Sequence, residues 1–422
     1  MKTEALIIFA ATYVLLLVFP KIRAYIALGS AALFVILGIM PLERLPYAID
    51  WNVLMMIAGT MGIVSLFIKS KMPALLADML IDRMPNVKWA VIALSIFSGV
   101  ISAFIDNVAT VLIVAPVALT ISKKLEISPV PGIIAIAVSS NLQGAATLVG
   151  DTTSILLGGH ANMDFLDFFF FQGKIGLFFV VQAGALASVL ILMFLFRRDK
   201  QAIHLTETTK VTDYFPTFLL VGMVALLIAA SFIPGRPAVT NGLICMGVLI
   251  IGLARSLFRS KCTKECREAI KEIDYFTVLL LTGLFVVVGG ITEAGIVKDI
   301  SALFVSISGD NIFITYTLIV WASVLLSAFI DNIPYVATML PVAAGISQIM
   351  GVSPNLLYFG LLVGATLGGN ITPIGASANI TALGILRKEG YEVKAGQFMR
   401  IGVPFTLAAV TAGYLIVWFL WR

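Results

Sequence analysis

A motif of six residues occurs twice in this chain, each time in the middle of a long apolar stretch. Ser102 to Asn107 reads Ser-Ala-Phe-Ile-Asp-Asn, and the same residues return from Ser327 to Asn332. Each copy puts a carboxylate and a carboxamide where a membrane would put its hydrocarbon core. Ionisable side chains at such depth are unfavourable and are by default functional candidates. The motif therefore predicts two related polar sites inside a membrane protein.

The composition is that of a chain that spans a membrane many times. Hydrophobic residues make up 60% of its 422 residues and charged residues only 12%, which is far outside the range of soluble domains. At about 20 residues per spanning helix, there is room for roughly ten to twelve apolar segments. These segments are continuous, whereas barrel strands would alternate. We expect an all-α polytopic protein of the cytoplasmic (inner) membrane.

The two halves of the chain correspond segment by segment. The apolar segments of the first half cover residues 5–19, 24–40, 51–68, 89–122, 131–158 and 173–196, and those of the second cover 215–233, 238–254, 275–294, 312–349, 355–386 and 401–421. Pairs at an offset of 225 residues include Asp106 and Asp331, Gly144 and Gly369, Thr147 and Thr372, and Gly150 and Gly375. This register indicates a duplication. Repeat 1 is predicted over 1–200, a cytoplasmic linker over 201–214, and repeat 2 over 215–422.

Two segments in each half are too long for one simple helix. Segments 89–122 and 312–349 have Asp-Asn near the centre, which predicts re-entrant hairpins of two helical arms. Segments 131–158 and 355–386 are interrupted by glycines, which predicts discontinuous helices. The helix-break glycines are Gly144, Gly150, Gly369 and Gly375. Such breaks are tolerated in a membrane only where they line a protein-walled cavity.

The topology follows from the number of crossings and from the positive charges. Each half makes five net crossings, so the second half is predicted to be inverted relative to the first. With the N-terminus and the C-terminus outside, 22 Lys and Arg residues lie on the inner side and six on the outer side, as the positive-inside rule requires. The net charge of +5 thus reflects topology, and we expect no nucleic-acid partner.

The hairpin tips and the helix breaks are expected to form two polar pockets near the membrane midplane, one in each half. The candidate ion-binding or substrate-binding residues are Asp106, Asn107, Thr110, Asn141, Thr147 and Asp151 in the first half, and Asp331, Asn332, Asn370, Thr372, Ser377 and Asn379 in the second. Asp106, Asp151 and Asp331 could instead act as helix N-caps, a role that is compatible with ion binding.

Apart from Lys174 at the edge of segment 173–196, the apolar segments contain no Lys or Arg, which predicts that both pockets are acidic or neutral. Such pockets suit Na⁺ at the Asp106 and Asp331 positions, protons, or an uncharged polar solute. An anion would depend on helix N-termini or on a co-bound cation. We therefore expect no cofactor, and Na⁺ or H⁺ as the coupling ion. Cys262 and Cys266 are two ordinary thiols or a soft metalloid pair.

Two pairs of motifs resemble a known family. They are Phe104-Ile-Asp-Asn-Val-Ala-Thr-Val with Gly144-Ala-Ala-Thr-Leu-Val-Gly-Asp151, and Phe329-Ile-Asp-Asn-Ile-Pro-Tyr-Val-Ala-Thr338 with Leu367-Gly-Gly-Asn-Ile-Thr-Pro-Ile-Gly-Ala-Ser-Ala-Asn379. They look like the paired signatures of the ion-transporter superfamily, in its arsenite-pump and sodium/proton-antiporter branch with relatives of the melanosomal P protein. The resemblance implies a homodimer in which a mobile transport domain, carrying the hairpins and broken helices, moves like an elevator against a scaffold.

The sequence therefore predicts an ion-coupled secondary transporter that works by alternating access. Its cargo is expected to be Na⁺ or H⁺ itself, or an arsenite-like oxyacid. A sodium-coupled carrier of dicarboxylates or citrate-type anions is the alternative, and an ion channel is the alternative of another class. An enzyme is not expected, because no nucleophile and base constellation is present.

Overall fold

The computed structural model describes residues 1–202, 209–260, 271 and 273–422, and this part of the chain is almost entirely helical. The helices of the first half are α1 (Lys2–Val18), α2 (Arg23–Ile36), α3 (Leu45–Ala48), α4 (Trp51–Lys69), α5 (Met72–Ile81), α6 (Val87–Ser102), α7 (Asn107–Lys124), α8 (Val130–Gly144), α9 (Thr152–His160) and α10 (Leu177–Leu195). Those of the second half are α11 (Phe215–Ser231), α12 (Thr240–Ser260), α13 (Tyr275–Glu293), α14 (Ile296–Ser308), α15 (Ile312–Ser327), α16 (Asn332–Met350), α17 (Asn355–Gly368), α18 (Ser377–Lys388) and α19 (Ala395–Trp421).

The remaining regular structure is minor. Short 3-10 turns cover Pro20–Ile22, Leu42–Arg44, Leu166–Phe168 and Gly369–Ile371, and strands β1 (Phe170–Phe171) and β2 (Lys174–Ile175) form one antiparallel pair. Among the described residues, seven helices are long and apolar enough to cross a membrane, or up to nine if each of two bent pairs is one span. The predicted all-α polytopic class is therefore confirmed, whereas ten crossings stay a prediction. Helices α5 and α14 lie outside the apolar segments taken from the sequence.

The helices break at the places that the sequence indicated. In the first half, α6 and α7 are separated by residues 103–106, and α8 and α9 by residues 145–151. The second half repeats this pattern, with α15 and α16 separated by 328–331 and α17 and α18 by 369–376. Asp106 caps α7 and Asp331 caps α16, because a carboxylate can accept the free N–H groups of a first turn.

Two pairs of corresponding helices run in opposite directions. In the contact between α10 and α19, Ser188 donates a hydrogen bond to the carbonyl of Phe405 (3.0 Å), and Trp421 at the end of α19 bonds the carbonyl of Ile175 before the start of α10 (3.2 Å). Similarly, Glu293 at the end of α13 pairs with Arg44, which precedes α4. This antiparallel arrangement is the one that inverted repeats require, although their orientation in a membrane stays a prediction.

The central helices pack through glycines at corresponding positions. A Cβ atom on Gly59 of α4 would lie 2.6 Å from the carbonyl carbon of Cys245 on α12. A Cβ atom on Gly283 of α13 would lie 2.5 Å from the carbonyl carbon of Ala27 on α2. Glycine lets helix backbones approach closely, which is the main way that helices gain contact energy in lipid. The contact between α4 and α12 thus repeats the contact between α13 and α2.

We expect Gly59→Ala to destabilise the protein, because the new methyl group would collide with the backbone of α12. Overpacking of this kind typically costs about 1–3 kcal/mol. Gly29→Ala on α2 is the matched control, since no atom lies within 4 Å of the position that its new Cβ atom would take, and alanine is the better helix former. Thermal unfolding in detergent measures both. Equal melting temperatures for the two variants would contradict the proposed close contact.

Candidate functional site

A cavity of about 240 Å³ lies between the first hairpin tip, the break between α8 and α9, and helices α4 and α13. This is many times the 10–15 Å³ that one water molecule needs. Its polar lining residues are Ser65, Asp106, Asn107, Asp151, Thr152, Asp274, Thr277, Asn332 and Ser377. Among the residues described, no Lys or Arg lines it. The cavity thus brings together Asp106, Asn107 and Asp151 from the first predicted pocket with Asn332 and Ser377 from the second.

Asp274 is a lining residue that the sequence analysis did not assign to a site. A signal was present, because Ile273-Asp274-Tyr275 repeats Ile49-Asp50-Trp51 at the start of the corresponding helix. The aspartate accepts hydrogen bonds from the Thr277 N–H (3.0 Å) and the Thr277 hydroxyl (2.5 Å). Its place in the same cavity as Asp106 is a tertiary arrangement of the two halves, which no local sequence pattern indicates.

Each of the three cavity carboxylates caps a helix. Asp106 Oδ2 accepts the N–H groups of Val108 (3.0 Å) and Ala109 (3.2 Å). Asp151 accepts the Thr152 N–H (2.8 Å) and the Thr153 hydroxyl (2.9 Å). An ionised carboxylate has about four lone-pair sites. Capping therefore leaves acceptor capacity on each side chain for a ligand in the cavity.

Asn141 and Asn370 lie in an internal polar network rather than on the cavity wall. Asn107 Nδ2 donates to Asn141 Oδ1 (2.9 Å), and Asn141 Nδ2 donates to the Thr366 carbonyl (2.8 Å) and to Asn370 Oδ1 (3.1 Å). Asn370 Nδ2 in turn reaches the carbonyl of Val138 (2.9 Å). The network joins the broken helices of the two halves, because α8 belongs to the first and α17 to the second.

The predicted threonines and Asn379 contact backbone carbonyls around the breaks. Thr147 donates to the carbonyl of Ala103, and its counterpart Thr372 donates to that of Ala328. Thr110 bonds the carbonyl of Asp106 (3.1 Å). Asn379 Nδ2 donates to the carbonyls of Gly369 and Thr372, both at 3.1 Å. These groups satisfy backbone acceptors that the interrupted helices leave free.

The helix-break glycines allow the chain to fold back on itself. A Cβ atom on Gly150 would lie 2.6 Å from the carbonyl oxygen of Gly144, and one on Gly375 would lie 2.6 Å from that of Gly369. Each of these two Cβ atoms would also come within 3 Å of the carbonyls that end α6 and α15, respectively. Only glycine leaves room for these contacts.

The second predicted pocket differs from the expectation. Arg23 Nη1 donates to Asp331 Oδ2, and the two side chains are only 17% and 15% exposed. The Arg23 guanidinium also lies 5.7 Å from the centre of the Phe276 ring. The guanidinium neutralises the charge of Asp331, so the second pocket is neutral rather than acidic at this place, and its basic partner is one that the sequence did not predict. Arg23 precedes its apolar segment, so only the packing of α2 against α13, beside the second hairpin, brings it to Asp331.

A larger vestibule of about 1080 Å³ lies at the opposite end of α4 and α13. Its lining includes Asp50, Asn241 and Glu293, together with Ala337 and Leu340 of α16. Asp50 lies at the start of α4, whereas Ile68 near the end of α4 lines the smaller cavity. The two spaces thus open at opposite ends of the same helices.

The described residues contain no group of three or more His, Cys, Asp or Glu side chains placed to hold a metal ion. A Na⁺ ion in the cavity would therefore need amide, hydroxyl or carbonyl oxygens besides carboxylates. Cys262, Cys266 and residues 203–208 of the predicted linker lie outside the described part of the chain.

Comparison with known proteins agrees with the fold. The chain is 32% identical to an uncharacterized transporter of Mycobacterium tuberculosis, over 99% of this chain and 98% of that protein. It is 25% identical to the P protein of Mus musculus, over 93% of this chain and 56% of that protein. The fold resembles the YdaH transporter of Alcanivorax borkumensis, with a TM-score of 0.62, 14% identity, and coverage of 89% and 86%. It also resembles MtrF of Neisseria gonorrhoeae, with a TM-score of 0.54, 16% identity, and coverage of 87% and 80%.

These features identify a multi-pass membrane transporter. Its apolar helices, interrupted helices and internal polar cavity are the features of that class. A profile of the citrate transporter family (CitMHS) matches residues 13–364. The chain belongs to this family, and the predicted resemblance to a superfamily that includes the P protein is confirmed.

We expect Asn141→Ala to destabilise the protein, because it leaves Asn107 and Asn370 without their partner. Each buried polar group left unpaired costs about 1–3 kcal/mol. Ser306→Ala is the control, because this serine is exposed and bonds only within its own helix. Thermal unfolding compares the two. A melting temperature for Asn141→Ala equal to that of the control would show that the network does not join the halves.

Proposed function

We propose that this protein is a cation-coupled secondary transporter that works by alternating access. The main support for cation coupling is the cavity in which Asp106, Asp151 and Asp274 lie among amide and hydroxyl groups. Hard cations such as Na⁺ prefer oxygen ligands, and carboxylates inside a membrane can also carry protons. The volume of about 240 Å³ leaves room for a small solute beside the cation.

The positions of the hairpin tips support alternating access. Asp106 shares a cavity with Asp274, and Asp331 pairs with Arg23 beside Phe276, so both tips lie at the same end of α13. The vestibule lies at the other end, beside Asp50. With the predicted topology, the cavity faces the cytoplasm and the vestibule faces the exterior.

The internal repeat suggests the second conformation. If the halves exchanged conformations, Asp331 would approach Asp50 as Asp106 now approaches Asp274. At present Asp50 shares the vestibule with Ala337 and Leu340, which follow Asp331 by six and nine residues. At 1.5 Å per residue, the exchange corresponds to a shift of about 9–14 Å along α16. Such a shift fits an elevator motion of the hairpins and broken helices against the other helices.

Three kinds of cargo are compatible with this proposal. The acidic cavity favours exchange of Na⁺ for H⁺, or movement of a small arsenite-like oxyacid together with a cation. Membership of the citrate transporter family favours a citrate-type anion, whose charge the cation would offset. Assembly as a homodimer, which the sequence resemblance implies, belongs to the same proposal, and native mass spectrometry tests it.

We expect Na⁺ to raise the melting temperature of the purified protein, because a ligand that binds only the folded state stabilises it. Asp106→Asn and Asp274→Asn should each lose most of this shift, since each removes a negative charge from the cavity. Asp299→Asn is the control, because Asp299 pairs with Lys2 at the surface. A full Na⁺ response in both cavity variants would reject this site. A response to pH but not to Na⁺, lost in the same variants, would assign H⁺ as the coupling ion.

Uptake into proteoliposomes should distinguish the cargoes. Arsenite, silicate, citrate and succinate are tested with and without Na⁺ and pH gradients, and the internal pH is recorded. We expect gradient-dependent uptake of one of these solutes, or proton movement driven by Na⁺ alone. Asp106→Asn should reduce that transport at least tenfold, while Asp299→Asn should not change it. Fluxes far above carrier turnover would identify a channel and overturn the proposal.

A further inference from the structure

The second hairpin tip is bonded to α2 through Arg23 and to α1 through Tyr13. The ion pair of Arg23 with Asp331 is one of several contacts at this place. The Tyr13 hydroxyl of α1 donates to the carbonyl of Pro334 (2.8 Å) and also contacts Thr338. A mostly buried ion pair is hard to separate, because each charge would lose its partner before water replaces it. The tip cannot leave this position without breaking or neutralising the pair.

The repeat shows which residue takes the place of Arg23 in the other half. The corresponding glycines Gly59 and Gly283 contact Cys245 and Ala27, so these two residues occupy equivalent positions on α12 and α2. Arg23 precedes Ala27 by four residues, and Asn241 precedes Cys245 by four residues. Asn241 is therefore the structural counterpart of Arg23.

Asn241 lacks the charge that would be needed to hold the first hairpin tip. It lies at the vestibule end of the helices, where its side chain is buried and its Oδ1 atom has no hydrogen-bond partner among the described residues. The neighbouring Gly242 N–H bonds Asn52 (2.8 Å), and Asn52 is the counterpart of Phe276 beside Arg23. After an exchange of conformations, Asp106 would thus meet an amide where Asp331 now meets a guanidinium.

We propose that Arg23 is a positioning residue that forms a one-sided latch with Asp331. The latch holds both hairpin tips at the end of α13 that lies beside Arg23. In the exchanged conformation, Asn241 cannot form an equivalent ion pair. While the latch is closed, Asp331 is engaged by Arg23 and does not serve as a cation ligand. The charged cavity residues are then those around Asp106. This inference rests on the alternating access proposed above.

Two pairs of cysteines report the two conformations in membranes. Val108→Cys with Thr277→Cys reports the conformation of this structure, here called the present one, because both residues line the cavity. Their repeat counterparts, Ile333→Cys with Val53→Cys, report the exchanged conformation, in which each half has taken the conformation of the other. The pairs are introduced with Cys245→Ala, Cys262→Ser and Cys266→Ser, and are linked with a flexible bismaleimide. The ratio of the two crosslinking yields measures the conformational preference.

We expect Arg23→Asn to raise the yield of the exchanged pair relative to the present pair at least fivefold. Asn241→Arg should also raise it, by giving Asp106 an ion pair in the exchanged conformation. The double variant should prefer the exchanged conformation. Arg255→Asn, which breaks an ion pair with Asp213 elsewhere, is the control and should leave the ratio unchanged. An unchanged ratio in Arg23→Asn and Asn241→Arg would overturn the latch.

The charge-reversed variant R23D/D331R covers the case in which Arg23→Asn does not fold. It keeps an ion pair at the same place, so it should restore the wild-type ratio, and Asp331→Asn alone should raise it. A raised ratio in R23D/D331R would contradict the latch. Failure of the exchanged pair to crosslink in every variant, with every solute and ion, would instead reject alternating access itself. Crosslinking of that pair independently of residue 23 would reject only the latch.

Discussion

The fold depends on one constraint, which is that a backbone polar group in lipid must find its partner within the protein. Uninterrupted helices meet this requirement alone, but a chain that breaks two helices and turns two hairpins does not. Here a hydroxyl from each break donates to a free carbonyl of the hairpin in the same half. Thr147 bonds the carbonyl of Ala103, and Thr372 bonds that of Ala328. Gly150 and Gly375 are required because any side chain would displace the carbonyls that meet there. The polar interior is thus a consequence of how the breaks are satisfied.

Two kinds of interface divide the molecule. The broken helices of the two halves are joined by buried amides, with Asn141 bonded to both Asn107 and Asn370. Breaking such bonds inside the protein is unfavourable, so these parts are expected to move together. Against α2, α4 and α13, in contrast, the hairpins meet a cavity, a vestibule and the Arg23–Asp331 ion pair. An interface with open space and few specific bonds is one along which sliding is feasible.

The agreement between prediction and structure depends on the range of the interactions. Helix breaks at Gly144 and Gly369 and caps at Asp106 and Asp331 were predictable, because glycine, aspartate and proline act on the backbone next to them. The roles within the site were less predictable. The amide side chains of Asn141 and Asn370 could bind a ligand, yet in the structure they form hydrogen bonds that join helices. Asp274 repeats Asp50 in sequence, but its place beside Asp106 depends on how α13 packs.

The membrane-spanning helical class, the duplication and the positions of the interruptions can be predicted from the residues alone, because apolar length, repeat register and backbone chemistry are local properties. Which charges meet depends instead on how distant helices pack. Arg23 and Asp331 are 308 residues apart and become partners through the packing of α2 against α13, beside the second hairpin. The two halves therefore carry the same motif in different electrostatic surroundings. That difference arises because residues outside the motif, Arg23 in one half and Asn241 in the other, occupy corresponding positions in space.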